Sequence, residues 1–298
     1  MELLRLIESI RTPFLDFLFD LITRLGEQTV AVAVFGAVFW CVNKQIGYGI
    51  GIAYFLSALT VQGMKLGFRV ERPWVIDPTL NPVPSALEYA TGYSFPSGHT
   101  QSAAALLGAL AAQIKKTPVR IACFTLAVLV AFSRMYLGVH TLSDVAVSLL
   151  LSFLFVWLAV KFLAAGSVSK KRELVMALSM LLYSAAAIVF ASVMFAAGEI
   201  EQAFLSDCLK AAGAAIGFAA GMYIERVYIR FSVSAKNILW QGIKFILGFA
   251  GVLILQEGLK PILGGGLAAD AVRYFMMVFW MIALYPLILK RFAPSGRA

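Results

Sequence analysis

Apolar residues run through this chain in stretches of about 20, the length at which a helix spans the hydrocarbon core of a bilayer, and short polar segments separate them. Nine spans are predicted, near Thr29 to Val42, Ile46 to Leu66, Ser97 to Ile114, Val119 to Leu137, Leu142 to Leu163, Leu174 to Ala197, Leu209 to Ile224, Ile238 to Gln256 and Val272 to Leu289. The first and seventh are short. The expected fold class is therefore all-α, a polytopic membrane bundle of about nine transmembrane helices.

Residues 1–27 follow a different pattern. Glu2, Arg5, Glu8, Arg11, Asp16, Asp20 and Arg24 interrupt them too often for a span, yet Leu3, Ile7, Ile10, Phe14, Phe17, Leu21 and Leu25 recur at helical spacing. An amphipathic segment lying in the membrane interface is expected, broken at Thr12-Pro13, where Thr caps and Pro starts a second helix. The segment has neither the uninterrupted apolar run nor the small-residue cleavage site of a signal peptide.

Composition agrees with the pattern. Hydrophobic residues make up 61% of the chain and charged residues only 14%, against about 25% charged in soluble proteins. The net charge of +9 does not point to nucleic acid, because the cations are scattered between apolar runs and form no basic arm. Cys41, Cys123 and Cys208 lie in or beside apolar segments without CxxC spacing, so neither a disulfide framework nor a thiolate metal site is indicated.

The cations fall mainly in one set of loops: Lys44; Lys115, Lys116 and Arg120; Lys170, Lys171 and Arg172; Arg226, Arg230 and Lys236; Lys290, Arg291 and Arg297. The positive-inside rule makes those loops cytoplasmic. The opposite set, extracytoplasmic by alternation, holds the stretch Gly67 to Phe95, the turn at His140, the acidic loop of Glu199, Glu201 and Asp207, and Gly264 to Gly266. This puts the N-terminal segment outside and the C-terminus inside. Lys161 and Lys244 read as cations snorkelling from helix ends.

Chemistry concentrates at that outer face. The chain has two histidines, His99 in Pro96-Ser97-Gly98-His99, and His140 in Ser133-Arg134, five residues, His140, three residues, Asp144; Lys65, six residues, Arg72-Pro73 lies upstream. Four predicted helix ends bring these groups together. Ser97-Gly98 opens the third span, where free backbone N–H groups and the positive helix end suit a phosphate. Asp144 stands one helical turn after His140, placed to orient its ring. Three cations to neutralise equatorial oxygens, with one imidazole to attack and one to protonate the leaving group, describe a phosphoryl-transfer site. No second cluster of Asp, Glu or His suggests a metal.

These three motifs resemble the signatures of the type 2 phosphatidic acid phosphatase (PAP2) family, whose helical core is shared with vanadium haloperoxidases. The resemblance covers Ile46 to Leu163. It implies a PAP2-like six-helix core and a metal-independent phosphatase needing no cofactor. By the same resemblance His140 is the nucleophile that forms a phosphohistidine, Asp144 its partner and His99 the proton donor to the leaving oxygen. Lys65, Arg72, Ser97, Gly98 and Arg134 then bind the phosphoryl oxygens. The domain division expected is an interfacial segment at 1–27, a catalytic membrane core at 28–198 and additional transmembrane helices at 199–298.

A site at the outer membrane face favours a lipid phosphate, such as phosphatidic acid, phosphatidylglycerol phosphate or a polyprenyl pyrophosphate, and a bacterial plasma membrane is the expected location. A second reading is a glucose-6-phosphatase-like hydrolase of a soluble sugar phosphate, from the nine spans and Ser133-Arg134-Met135-Tyr136-Leu137. A third, of another class, is a phospho-compound transporter or non-catalytic lipid-binding protein. Trp74, Tyr89, Tyr93 and Phe95 read equally as a substrate-gating lid or an aromatic belt. Asp77 and Glu88 read as residues of a solvated loop. Gly213, Gly217 and Gly221 predict close helix packing, within the chain or between protomers.

Overall fold

The computed structural model describes residues 1–88, 90–164 and 169–292; Tyr89 and Arg297, both read above, lie outside them. All regular elements among the described residues are helical. The fold divides into two compact units: Met1–Val32 with Ile52–Lys161, and Ala33–Gly51 with the chain from Phe162 on.

The first unit begins with the amphipathic segment as two helices, α1 (Glu2–Ser9) and α2 (Pro13–Thr23). The break falls at Thr12-Pro13: Thr12 accepts a hydrogen bond from Leu15 N, and Pro13, lacking an N–H, opens the helix at no cost to its ladder. The apolar stripe divides its work. Leu4 and Ile7 are buried against Leu80, Val83, Tyr136 and Val139, whereas Ile10, Phe14, Phe17 and Leu21 are more than half exposed and left for lipid. After α3 (Gln28–Ala37), α4 (Lys44–Phe68) runs through both units and stops where Arg69 takes a left-handed φ of 50°.

Two short turns, α5 (Pro73–Ile76) and α6 (Pro84–Leu87), carry the loop toward α7 (Gly98–Gln113). Two longer helices, α8 (Thr117–Tyr136) and α9 (Leu142–Ala164), complete this unit's elements.

The second unit holds α10 (Lys170–Ala196), α11 (Gln202–Ile224), α12 (Ile238–Leu263), α13 (Leu267–Phe279) and α14 (Tyr285–Phe292). The glycine stripe packs within the chain: a Cβ on Gly213 would lie 2.2 Å from Ala271 O, and one on Gly217 2.5 Å from Phe275 O. Glycine there lets α11 meet the backbone of α13. Three π-helical turns, Val38–Val42, Glu225–Ile229 and Trp280–Leu284, interrupt the helices of this unit. Side chains take up their loosened carbonyls, as where Trp40 Nε1 donates to Met281 O at 2.9 Å. Lys161 is exposed, as a snorkelling cation should be. Lys244 is buried, its Nζ directed back to Val233 O at 2.8 Å, so it caps a carbonyl instead of reaching water.

Charges read as loop cations also turn inward here. Arg226 Nη2 donates to Glu173 Oε1 at 3.0 Å, and its Nε stands 2.8 Å from Oε2. Lys44 Nζ donates to Glu225 Oε1 at 3.2 Å.

By length and composition, seven helices among the described residues are fit to cross a membrane, or eight if Pro13–Gly26 and Gln28–Val42, bent by 54°, make one span. The expected nine is not confirmed. Two predicted spans make the difference: Thr29 to Val42 counts only as part of the bent pair, and the 16 residues of α7 extend about 24 Å, less than the ~30 Å hydrocarbon core.

Candidate active site

All eight residues singled out by the motifs fall in the first unit. Local backbone chemistry explains how His140 reaches Arg134. Helix α8 ends at Tyr136, and Gly138, at φ 79°, reverses the chain so that Val139 N and His140 N both donate to Arg134 O, at 3.1 and 3.2 Å. A side chain at Gly138 would be strained by that φ and would meet Arg11 Nη2 at 2.7 Å.

Asp144 sits three residues into a capping box. Thr141 N donates to Asp144 Oδ2 at 2.7 Å, and Asp144 N points at Thr141 Oγ1 at 3.4 Å. The same Oδ2 faces His140 Nδ1 at 3.4 Å and accepts from Ser94 Oγ at 2.5 Å. Helix capping and ring orientation are thus carried by one carboxylate oxygen.

Arg72 decides the tautomer of His140. Its Nη1 lies 2.9 Å from His140 Nε2, and its other bonds go to Gly92 O, Thr91 O and Val139 O. A guanidinium only donates, so Nε2 carries the lone pair and Nδ1 the hydrogen, turned toward Asp144 and Ser94. Burial, then the positive charges of Arg72, Arg134 and Lys65, hold the His140 ring well below its ordinary pKa and therefore neutral. His99 adds to that influence, so the two histidines and three cations lie within electrostatic reach of one another.

The remaining groups surround this pair. Ser97 caps α7, and its backbone is tied to α9 twice: Ser97 N donates to Asp144 O at 3.2 Å, and Ser148 Oγ donates to Ser97 O at 2.9 Å. A Cβ built on Gly98 meets no atom within 4 Å, which leaves open space over the first turn of α7. Lys65 Nζ donates to Tyr93 O. Arg134 is 1% exposed; its Nη1 donates to Thr23 Oγ1 at 2.8 Å, while Nε and Nη2 have no hydrogen-bond partner among the described residues. Two buried, oriented cationic donors without acceptors are a costly arrangement that an oxyanion would relieve.

The sequence profile of the PAP2 superfamily matches residues 46–167, and that of the "PAP2 superfamily phosphatase, transmembrane extension" matches residues 209–297. The chain belongs to the PAP2 superfamily. It is an integral membrane phosphatase of that family. Among solved structures, Aquifex aeolicus LpxE is 28% identical over 54% of this chain and 93% of its own, with a TM-score of 0.48. The first transmembrane PAP2-type phosphatidylglycerolphosphate phosphatase from Bacillus subtilis is 27% identical over 53% of this chain and 81% of its own, with a TM-score of 0.45. No curated protein matches the chain.

Three residues around this PAP2 site carry no motif signal. Ser94, fully buried, bridges toward His140 and Asp144, and its own N donates to Val70 O at 2.7 Å. Its place two residues before the Pro96 motif was the one available clue. Thr23 and Gly26 come from the amphipathic segment and touch Arg134 and His99; their separation along the chain hides them. Of the aromatics read as lid or belt, Trp74 lies under the Arg72 guanidinium, 5.9 Å from ring centroid to Cζ.

Proposed function

We propose that this phosphatase hydrolyses a phosphomonoester or pyrophosphate of a lipid at the extracytoplasmic face, through a phosphohistidine on His140 and without a metal. The observation that carries the reading is the pairing of His140 Nε2 with Arg72 at 2.9 Å, beside an Arg134 with two free donors. A substrate phosphate entering there accepts from Arg134, draws the Arg72 fork onto its oxygens and meets the Nε2 lone pair in line. As the P–O bond breaks, His99, which takes up a proton with the incoming anionic substrate, gives that proton to the leaving alkoxide. Water then attacks the phosphohistidine, with His99 as base, releasing inorganic phosphate and restoring neutral His140. Lys65, Arg72, Arg134, the Ser97 hydroxyl and the Gly98 N–H neutralise the equatorial oxygens. Residues 28–198 form the catalytic core in this reading, and 199–298 are helices added to it.

A panel of lipid phosphates, lipid pyrophosphates and sugar phosphates, assayed on purified protein, tests the substrate. Turnover is expected on lipid substrates, undiminished by EDTA and inhibited competitively by vanadate, which adopts the trigonal bipyramid of the transition state. Preference for a soluble sugar phosphate would move the substrate to the glucose-6-phosphatase-like class. A Mg²⁺ requirement on a soluble ester would remove the cation-only mechanism.

Sidedness is tested by single cysteines in a background lacking Cys41, Cys123 and Cys208. Glu88 and Thr117 are exposed positions at the two ends of the segment that contains α7, whereas the nearby Ala86 is buried. Glu88→Cys is expected to react with an impermeant thiol reagent in intact cells, and Thr117→Cys only after permeabilisation. The reverse pattern would place the site in the cytoplasm.

A further inference from the structure

The matched family profile begins at residue 46, yet the N-terminal arm reaches into the site. Thr23 closes α2, and Gly26 ends the single 3₁₀ turn that follows it. Both are buried. Resting on the catalytic reading above, we propose that this short stretch is a positioning element for two site residues, with Thr23 setting the Arg134 fork and Gly26 setting His99.

For Arg134 the reasoning is one of constraint. Only Nη1 has a described partner, Thr23 Oγ1 at 2.8 Å, so that bond fixes the direction in which Nε and Nη2 point. Asp20 and Glu27, on either side of Thr23, lie within electrostatic range of the same guanidinium. The arm is itself anchored to the end of α8. Tyr136 donates to Asp16 Oδ1 at 2.8 Å, and Phe19 packs against Tyr136 with centroids 4.3 Å apart and the rings tilted by 32°.

For His99 the contact is with the backbone. A Cβ on Gly26 would stand 2.6 Å from His99 O and 3.0 Å from His99 Cβ. A carbonyl in the first turn of α7 cannot swing aside as a flexible side chain would, so any side chain at 26 displaces the residue that protonates the leaving group. The arm therefore touches the phosphate-holding side of the site at one point and the acid at another.

Each contact predicts its own kinetic signature in the full-length protein. Thr23→Val keeps the shape and removes the acceptor; vanadate inhibition is expected to weaken about tenfold, the usual size of a lost hydrogen bond to a charged group. Thr23→Ser is expected to stay within about twofold. Gly26→Ala is expected to lower turnover of an alkyl phosphate about tenfold more than that of p-nitrophenyl phosphate, because an alkoxide needs the proton and a nitrophenolate does not. Should Gly26→Ala fail to fold, the Thr23 pair decides. Parent-like vanadate inhibition in Thr23→Val, an equal loss in Thr23→Ser, or equal losses on both esters in Gly26→Ala would overturn the proposal. In all of these cases an inactive His140→Ala shows that the catalytic reading stands. An active His140→Ala removes the reading and the proposal together.

Discussion

His140→Ala is expected to lower phosphatase turnover by at least about 10⁴-fold while the protein still folds and elutes as the parent does. The loss is large because the covalent route has no substitute for the Nε2 lone pair. Ser94, Ser97 and Asp144 are buried nearby, but a serine hydroxyl without a base is a poor nucleophile, and a phosphorylated carboxylate would surrender the capping box at Thr141. Folding should survive, since Arg72 keeps three carbonyl acceptors when the ring is removed. Acid-labile, base-stable phosphate trapped on the parent but not on the variant identifies the intermediate. Turnover of His140→Ala within tenfold of the parent would falsify the assignment.

The same contrast explains what was legible in the sequence. Phosphoryl transfer demands particular atoms, so Lys65, Arg72, Ser97, Gly98, His99, Arg134, His140 and Asp144 stand out as letters at fixed spacing. The Thr12-Pro13 break was legible for a similar reason: capping is decided by neighbours within four residues. Groups that act by holding those letters in place were not legible. Ser94 and Thr23 are ordinary residue types whose meaning comes from an atom 50 or 111 positions away. The count of nine spans is not confirmed, because hydropathy locates α7 but does not give its length: its 16 helical residues are shorter than the bilayer core, so a crossing there also needs the residues that flank it. Arg226 shows the limit of charge-counting, since the positive-inside rule assigns it to a loop and the fold buries it to 5% exposure.

That burial carries the second large effect. Glu173 is fully buried, and both of its oxygens face Arg226, whose guanidinium also lies over the Tyr48 ring at 4.7 Å and donates to Gln45 Oε1 at 3.1 Å. Arg226→Met keeps most of the volume and strands the carboxylate. Removing one partner of a buried ion pair costs about 3–5 kcal/mol. Arg172, with Nη2 3.6 Å from Glu173 Oε1, is placed to recover part of that, so the lower end, about 3 kcal/mol, is expected. Removing both charges, as Glu173→Leu with Arg226→Met, should restore most of the loss, because the main cost lies in the unpaired charge and not in the missing attraction. Thermal unfolding of the detergent-solubilised protein reads this directly: a clear drop in midpoint for the single variant and a recovery in the double. A single variant that melts with the parent would mean that water or Arg172 already satisfies Glu173. A double variant no better than the single would mean that the pair's value lies in its geometry, holding Gln45 and Tyr48 of α4 against the π-turn that Glu225 opens.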